Sequence, residues 1–307
     1  GSGPCRCHMG LMDMKAAIDA APYGASERVS PLVRRVLARN PSPFTFLGTG
    51  TYIVGNGKVA VIDPGPDEDD HLEAILAATK GETVSHIFVT HTHRDHSPLA
   101  VRLKETSGAR VLGCAPLALD DDGPRTDAAF DTTYAPDAVL SHGEVVPGGV
   151  WADGGWTIEA VHTPGHTSNH LCFALHEEKA LFTGDHVMGW STSVVTPPDG
   201  DMRDYMASLK LLQGRDDRIY YPTHGEPVTE PQRLVRGYIA HRRQREGQIL
   251  RLLEPGRKAF PAPVASMYAA VAPRLHPAAG RSVLAHLIDL EARGVVSAAG
   301  DLWEKAA

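Results

Sequence analysis

Thr90-His91-Thr92-His93-Arg94-Asp95-His96 sets three histidines and an aspartate within six residues. Ser85-His86-Ile87-Phe88-Val89-Thr90 ahead of it is a short apolar run with the pattern of a buried strand. Ser97-Pro98 behind it reads as an N-cap followed by a proline in the first turn of a helix. The polar residues therefore sit on a loop at a strand's C-terminal end, where layered α/β folds place function. Imidazole and carboxylate together suit zinc, iron or manganese.

Working outward, the same rhythm of strand, turn and ligand-type residue repeats. Residues 44–47 and 51–54 read as strands broken by Gly48-Thr49-Gly50, and Asn56-Gly57 is a hairpin turn signal. Residues 59–62 form a further strand ending at Asp63-Pro64-Gly65, and 67–79 a helix with Leu72, Ile75 and Leu76 as its apolar stripe. Asp67, Glu68, Asp69 and Asp70 in its first turn suit the helix dipole. A helix over 98–104 and a strand over 109–113 follow. Residues 116–136 lack periodicity and read as an active-site rim or insertion.

A second set of strands is expected at 145–146, 157–161, 171–175 and 180–182, with His166 after Pro164-Gly165 and Asp185 after Gly184. A helix at 205–212 and a strand at 219–221 lead to Pro222-Thr223-His224-Gly225. Upstream, residues 9–40 read as a partly helical lead-in, because Val33, Val36 and Leu37 have helical spacing. Downstream, Pro231 opens a long helix to about Leu253; helices at 263–271 and 282–293 and a small hairpin around Ala299-Gly300 complete a winged-helix outline.

Composition narrows the class. With 42% hydrophobic and 22% charged residues, the 307-residue chain is of ordinary globular type. No apolar run approaches the ~18 residues that span a bilayer, and no signal-peptide pattern opens the sequence, so a cytoplasmic setting is expected. Residues 1–8 read as a cloning remnant, which sets Cys5 and Cys7 aside. Cys114 and Cys172 make no disulfide framework. Residues 231–307 hold 12 Lys/Arg against 6 Asp/Glu, and the rest 18 against 31. The acidic part repels polyanions unless metal ions dominate its pocket. The arginines 242, 243, 245 and 251 spread around their helix, which argues against a nucleic-acid-reading stripe.

The collected donors are His91, His93, Asp95, His96, His166, Asp185 and His224. One zinc takes about four ligands. Seven are too many for one ion and suit two with a carboxylate shared. The ordered set His-x-His-x-Asp-His, Thr-Pro-Gly-His-Thr (163–167), Thr-Gly-Asp (183–185) and late His224 resembles the metallo-β-lactamase superfamily. The resemblance implies an αββα sandwich with its site at one edge between the sheets. It also implies the ligand roles: His91, His93 and His166 for one metal, Asp95, His96 and His224 for the other, and Asp185 as the bridge.

The segments Gly184-Asp185-His186-Val187-Met188-Gly189-Trp190, Pro197-Pro198-Asp199-Gly200-Asp201-Met202, Tyr205-Met206-Ala207-Ser208-Leu209 and His241-Arg242-x-x-Arg245-Glu246 are similar to the lactamase-beta-like-2 group. That group ends in a winged-helix-like domain, and its animal member is a mitochondrial endoribonuclease on single-stranded RNA. The expected division is therefore a catalytic domain at 9–230 and a helical winged-helix-like domain at 231–307.

Two metals a few ångströms apart clamp attacking and leaving oxygens and lower the pKa of water. The expected enzyme is a hydrolase with two Zn²⁺ (Fe or Mn as alternatives) acting on a small ester, thioester, lactone or β-lactam-type substrate. Single-stranded RNA is the alternative substrate, and mono-iron persulfide dioxygenation a further alternative. Asp95 is the expected proton acceptor and Tyr205 a hydrogen-bond donor to substrate. Asp63 is the expected acceptor for a ligand imidazole. Trp190 to Thr196 are expected to line the entrance. His142, His162, His176 and His186 read as structural or solvent-facing, and His241 as a capping or interdomain residue. Monomer and homodimer both remain open.

Overall fold

In the computed structural model, which describes residues 11–117, 130–149, 154–254, 256–259, 264, 267 and 276–306, the apolar runs pair into two large sheets. The first has the order β1-β2-β3-β4-β5-β6-β7. β1 (Ser26–Arg28), β2 (Val33–Leu37), β3 (Gly50–Val54) and β4 (Lys58–Ile62) are antiparallel neighbours. β4, β5 (Thr83–Val89), β6 (Arg110–Gly113) and β7 (Ala138–Val139) run parallel. Parallel neighbours need crossovers; helix α2 (Asp69–Ala78) provides that from β4 to β5 and α3 (Leu99–Ser107) that from β5 to β6, after the N-terminal α1 (Leu11–Ala20).

The second sheet has the order β12-β11-β10-β9-β8: β12 (Ile219–Pro222), β11 (Ala180–Gly184), β10 (Leu171–Leu175), β9 (Thr157–His162) and β8 (Val145–Pro147). Every residue of β3, β10 and β11 is buried. Strands covered on both faces read as continuous apolar runs without alternation. One core joins the two sheets. Phe88 meets Phe173 at 5.1 Å and Tyr52 meets Phe182 at 5.2 Å between ring centroids, with Trp156 edge-on to Phe88.

The chain forms two compact units. One comprises residues up to His162, Asn169–Thr192 and Asp216–Pro231; the other comprises Thr163–Ser168, Ser193–Arg215 and Gln232–Ala307. Both sheets lie in the first. The second holds α4 (Met202–Gln213), α5 (Pro231–Leu253), α6 (His276–Ala292) and a three-stranded sheet of β13 (Lys258–Ala259), β15 (Leu302–Lys305) and β14 (Val296–Ala299). Asp201 caps α4 by accepting from the Asp204 amide at 2.9 Å. Gly294, at φ 71°, ends α6: its amide donates to Glu291 O and the Val295 amide to Leu290 O. Ile249 and Leu253 of α5 pack with Val283, Leu287 and Leu290 of α6 and with Trp303. The helix expected at 263–271 lies outside the described residues, apart from Val264 and Met267, which join this core. Residues 118–129 of the expected rim also lie outside them.

Three local expectations are corrected. Val33–Leu37 is a strand: its register against β3 buries Val33, Val36 and Leu37 at once, mimicking helical spacing. Residues 44–47 form a turn, with Ser42 Oγ accepting from the Phe44 and Thr45 amides and Phe46 at φ 58°. Ser97 does not cap α3. Its hydroxyl donates to Asp131 Oδ2 at 2.8 Å, and Pro98 itself takes the cap position in helical conformation. Among the described residues, no helix is long and apolar enough to cross a membrane.

Candidate metal centre

The site in the first unit is built around the ends of β4, β5, β11 and β12. β4 ends at Asp63, a fully buried residue in the left-handed region at φ 48°. Such a backbone is unfavourable for any residue with a Cβ, though least so for Asn and Asp. The structure holds it there. The Asp63 amide donates to Phe88 O, and Thr51 Oγ1 donates to Asp63 O at 2.7 Å. The carboxylate then accepts from Thr90 N, Thr90 Oγ1 and His96 Nδ1, each at 2.8 Å, and from Thr223 Oγ1 at 3.0 Å. One side chain thus ties the ends of three strands together and aims His96.

With Nδ1 engaged, His96 turns Nε2 inward. That atom is buried and has no hydrogen-bond partner. Asp95 Oδ2 and Asp185 Oδ1 both lie 3.6 Å from it. His224 repeats the arrangement: Nδ1 donates to Gly48 O at 3.0 Å, and Nε2 lies 3.1 Å from Asp95 Oδ2 and 3.3 Å from Asp185 Oδ1. Distances of 3.6 Å exceed a hydrogen bond. A tetrahedron with metal–ligand bonds of about 2.0–2.2 Å has edges of about 3.3–3.6 Å. Three of these four distances fall in that range and the fourth, 3.1 Å, lies just below it, so the atoms are close to the spacing of ligands around one ion, and an ion would satisfy the orphaned His96 nitrogen. Anchoring the far imidazole nitrogen on a carboxylate or carbonyl is the usual support for a ligand histidine.

The second group of donors begins with His91, His93 and Asp185, whose ligand atoms lie within 4.8 Å of one another. His91 Nδ1 lies 3.0 Å from Thr90 Oγ1, while His91 Nε2 and His93 Nδ1 converge to 2.8 Å. Asp185 belongs to both groups. Gly184 before it has φ 50°, and an added Cβ would fall 2.6 Å from His170 Nε2 and 2.9 Å from Thr90 Oγ1, so only glycine fits there. His170, fully buried, accepts from the Asp185 amide at 3.2 Å. Sequence reasoning missed it. The available signal was its place immediately before β10, in line with the other histidines at strand ends.

His166 belongs to the second unit. Its Nδ1 lies 2.6 Å from Val194 O, and the Asp201 amide donates to Gly165 O. A Cβ on Gly165, at φ 135°, would fall 2.3 Å from Tyr205 Cα. Tyr205 is completely buried in that unit, with the Arg242 guanidinium 5.0 Å above its ring. In the first unit, Trp190 stacks on Phe46 at 5.0 Å. His142 Nδ1 accepts from the His162 amide, His176 Nε2 lies 2.8 Å from Glu159, and His186 is fully buried. His241 lies inside α5, not at its end, so it does not cap the helix.

The electrostatics favour cations. Burial alone would raise the Asp95 carboxyl, but His96 and His224 outweigh it and hold the group far below the usual carboxylate range. Burial pulls the His96 imidazole down; Asp95, Asp185 and Asp63 outweigh it and raise it well above 6.5. His224 is also raised, with burial outweighed by Asp185 and Asp95. The carboxylates make a buried anionic well in which protons and metal ions compete.

Clustered histidines and aspartates at strand ends beside two facing sheets define a metallohydrolase. Residues 45–224 match the Metallo-beta-lactamase superfamily, and residues 263–303 the Beta-lactamase associated winged helix domain. The chain belongs to the metallo-β-lactamase superfamily. It is 36% identical over 237 residues to an atrochrysone carboxyl ACP thioesterase, dmxR1, of Cryptosporiopsis, covering 76% of this chain and 66% of that protein. It is 32% identical over 243 residues to the lactamase-like protein notP of an Aspergillus species, covering 76% and 67%. The chain thus spans about two thirds of the length of these relatives. Among solved structures, a metallo-beta-lactamase family protein from Thermus thermophilus aligns with TM-score 0.73 at 23% identity, covering 91% of this chain and 100% of its own. A beta-lactamase domain protein from Burkholderia ambifaria aligns with TM-score 0.76 at 20% identity, covering 93% and 94%. These two likenesses concern the fold.

Proposed function

We propose that the protein is a dinuclear metal-dependent thioesterase. His91, His93 and His166 would hold one ion, Asp95, His96 and His224 the other, and Asp185 would be shared. The carrying observation is the set of four atoms His96 Nε2, His224 Nε2, Asp95 Oδ2 and Asp185 Oδ1, the last from the aspartate also grouped with His91 and His93. Zinc is the proposed metal, given the imidazole and carboxylate donors. When bound, such a pair supplies activated water and polarises the carbonyl under attack.

The chain's own residues do the rest. Asp95 directs Oδ2 at His96 and His224, and its side chain is 28% exposed, the most accessible of the residues around these two histidines. It orients the water and accepts its proton on the remaining carboxylate oxygen. Asp63 fixes the face that His96 presents; the side chain of Tyr205, expected from the sequence to donate to substrate, is fully buried, and its substitution tests that role. A thioester is favoured among carbonyl substrates because relatives matched over three quarters of the chain are named as thioesterases.

The test uses the purified chain with an acyl thioester, nitrocefin and a short single-stranded RNA, each with and without chelator. The reading expects chelator-sensitive release of thiol from the thioester, with nitrocefin turned over only slowly. RNA cleavage without thioester turnover would replace it with the nuclease reading. Oxygen consumption with one iron per chain would replace it with the dioxygenase reading.

A further inference from the structure

We propose that the second unit carries a buried binding site for a tetrahedral oxyanion, formed by Arg242, His286 and His241 where α5 meets α6. This site is separate from the thioesterase reading and does not depend on it.

Arg242 is 4% exposed. Its Nη2 donates to Ser193 O, its Nη1 reaches Ser282 Oγ at 3.4 Å, and its face lies over the Tyr205 ring. Its Nε is buried with no partner, and no carboxylate among the described residues pairs with it. His286, one turn beyond Ser282 on α6, is 3% exposed, and neither of its ring nitrogens has a partner. A neutral imidazole always carries one N–H. His241 precedes Arg242 on α5; its Nε2 accepts from Arg245 Nε at 3.3 Å, which leaves the proton on Nδ1, again buried and without an acceptor.

Three buried N–H groups and one full positive charge therefore lack an acceptor. Buried charges are normally paired. The acidic groups of this region are already engaged: Asp289 pairs with Arg203 and Arg293, and Glu246 with Arg293. Burial, reinforced by the arginines, pushes His286 down to about 3 and His241 to about 4, so neither adds a charge of its own at neutral pH. What the cluster lacks is an anion with several oxygens, able to accept from two helices in different directions. A phosphate or phosphate-like group meets that need, and arginine is suited to it.

The experiment is calorimetric titration and thermal melting of the full metal-loaded chain in a phosphate-free zwitterionic buffer. Inorganic phosphate is compared with acetate and chloride at matched ionic strength, for wild type, His286→Leu and Arg242→Met. Phosphate is expected to bind saturably and raise the melting temperature. His286→Leu should weaken that binding about tenfold or more. Without phosphate, the same variant should melt higher than wild type, because a buried unsatisfied imidazole is gone. Should Arg242→Met not fold, His286→Leu decides alone. The proposal is overturned if phosphate does not bind or if acetate matches it. It is equally overturned if both variants keep phosphate affinity within about twofold, which would place the anion at the metal centre.

Discussion

Replacing Asp63 with Asn probes how the metal centre is aimed. The left-handed backbone at φ 48° tolerates asparagine well, so the change is confined to one oxygen becoming an amide. Four donors converge on the carboxylate: Thr90 N on Oδ1, and Thr90 Oγ1, His96 Nδ1 and Thr223 Oγ1 on Oδ2. Asparagine keeps an oxygen for Thr90 N and points its NH₂ at the other three. Two hydroxyls can rotate to accept, whereas His96 Nδ1–H meets another donor. The imidazole must then move its proton to Nε2, the nitrogen proposed as the ligand. Losing one hydrogen bond to a charged acceptor and leaving a buried group unsatisfied costs about 3–5 kcal/mol of stability. Losing the support of one ligand histidine lowers metal affinity about 10- to 100-fold. Chelator competition monitored by zinc-sensitive dye, together with urea unfolding, measures both. Wild-type affinity for both metals in Asp63→Asn would refute the argument.

Asp185→Ala is expected to release both ions and abolish turnover, while His241→Ala leaves metal content unchanged; elemental analysis of the two variants checks this. Tyr205→Phe should keep full metal content yet lower thioester kcat about 10-fold if the hydroxyl serves substrate, and unchanged turnover would assign the residue to packing alone. Below pH 6.5 stability should fall, because buried His71 stays neutral down to about 4. The sign follows from proton counting: above 6.5 the group is neutral in both states, and between 6.5 and 4 only the unfolded chain binds the proton. Two to three pH units correspond to about 3 kcal/mol, so urea midpoints should decline from pH 6.5 to 4 and stay flat with respect to this group above 6.5.

Ligand-type residues were legible in the sequence because each follows an apolar strand and sits beside glycine, proline or threonine. Asp63 was legible for the same reason, at the end of β4. His170 was not: it stands before a strand, with no glycine-rich turn to mark it, and it meets the site by accepting from the Asp185 backbone amide. β2 was misread because a strand buried on both faces shows no alternation, and three apolar positions then fit a helix equally well. Residues 44–47 have strand-type composition, yet Ser42 and the positive φ of Phe46 fold them into a turn. The grouping of Thr163–Ser168 and Ser193–Arg215 with the C-terminal helices joins distant parts of the chain. No local pattern announces such long-range contacts.

The central claim is that two ions share Asp185. Anomalous diffraction from crystals grown with zinc tests it most directly. The account predicts two peaks about 3.5–4 Å apart, one against His91 and His93, the other against His96 and His224, with Asp185 touching both. A single peak, or two peaks of which only one contacts Asp185, would contradict it.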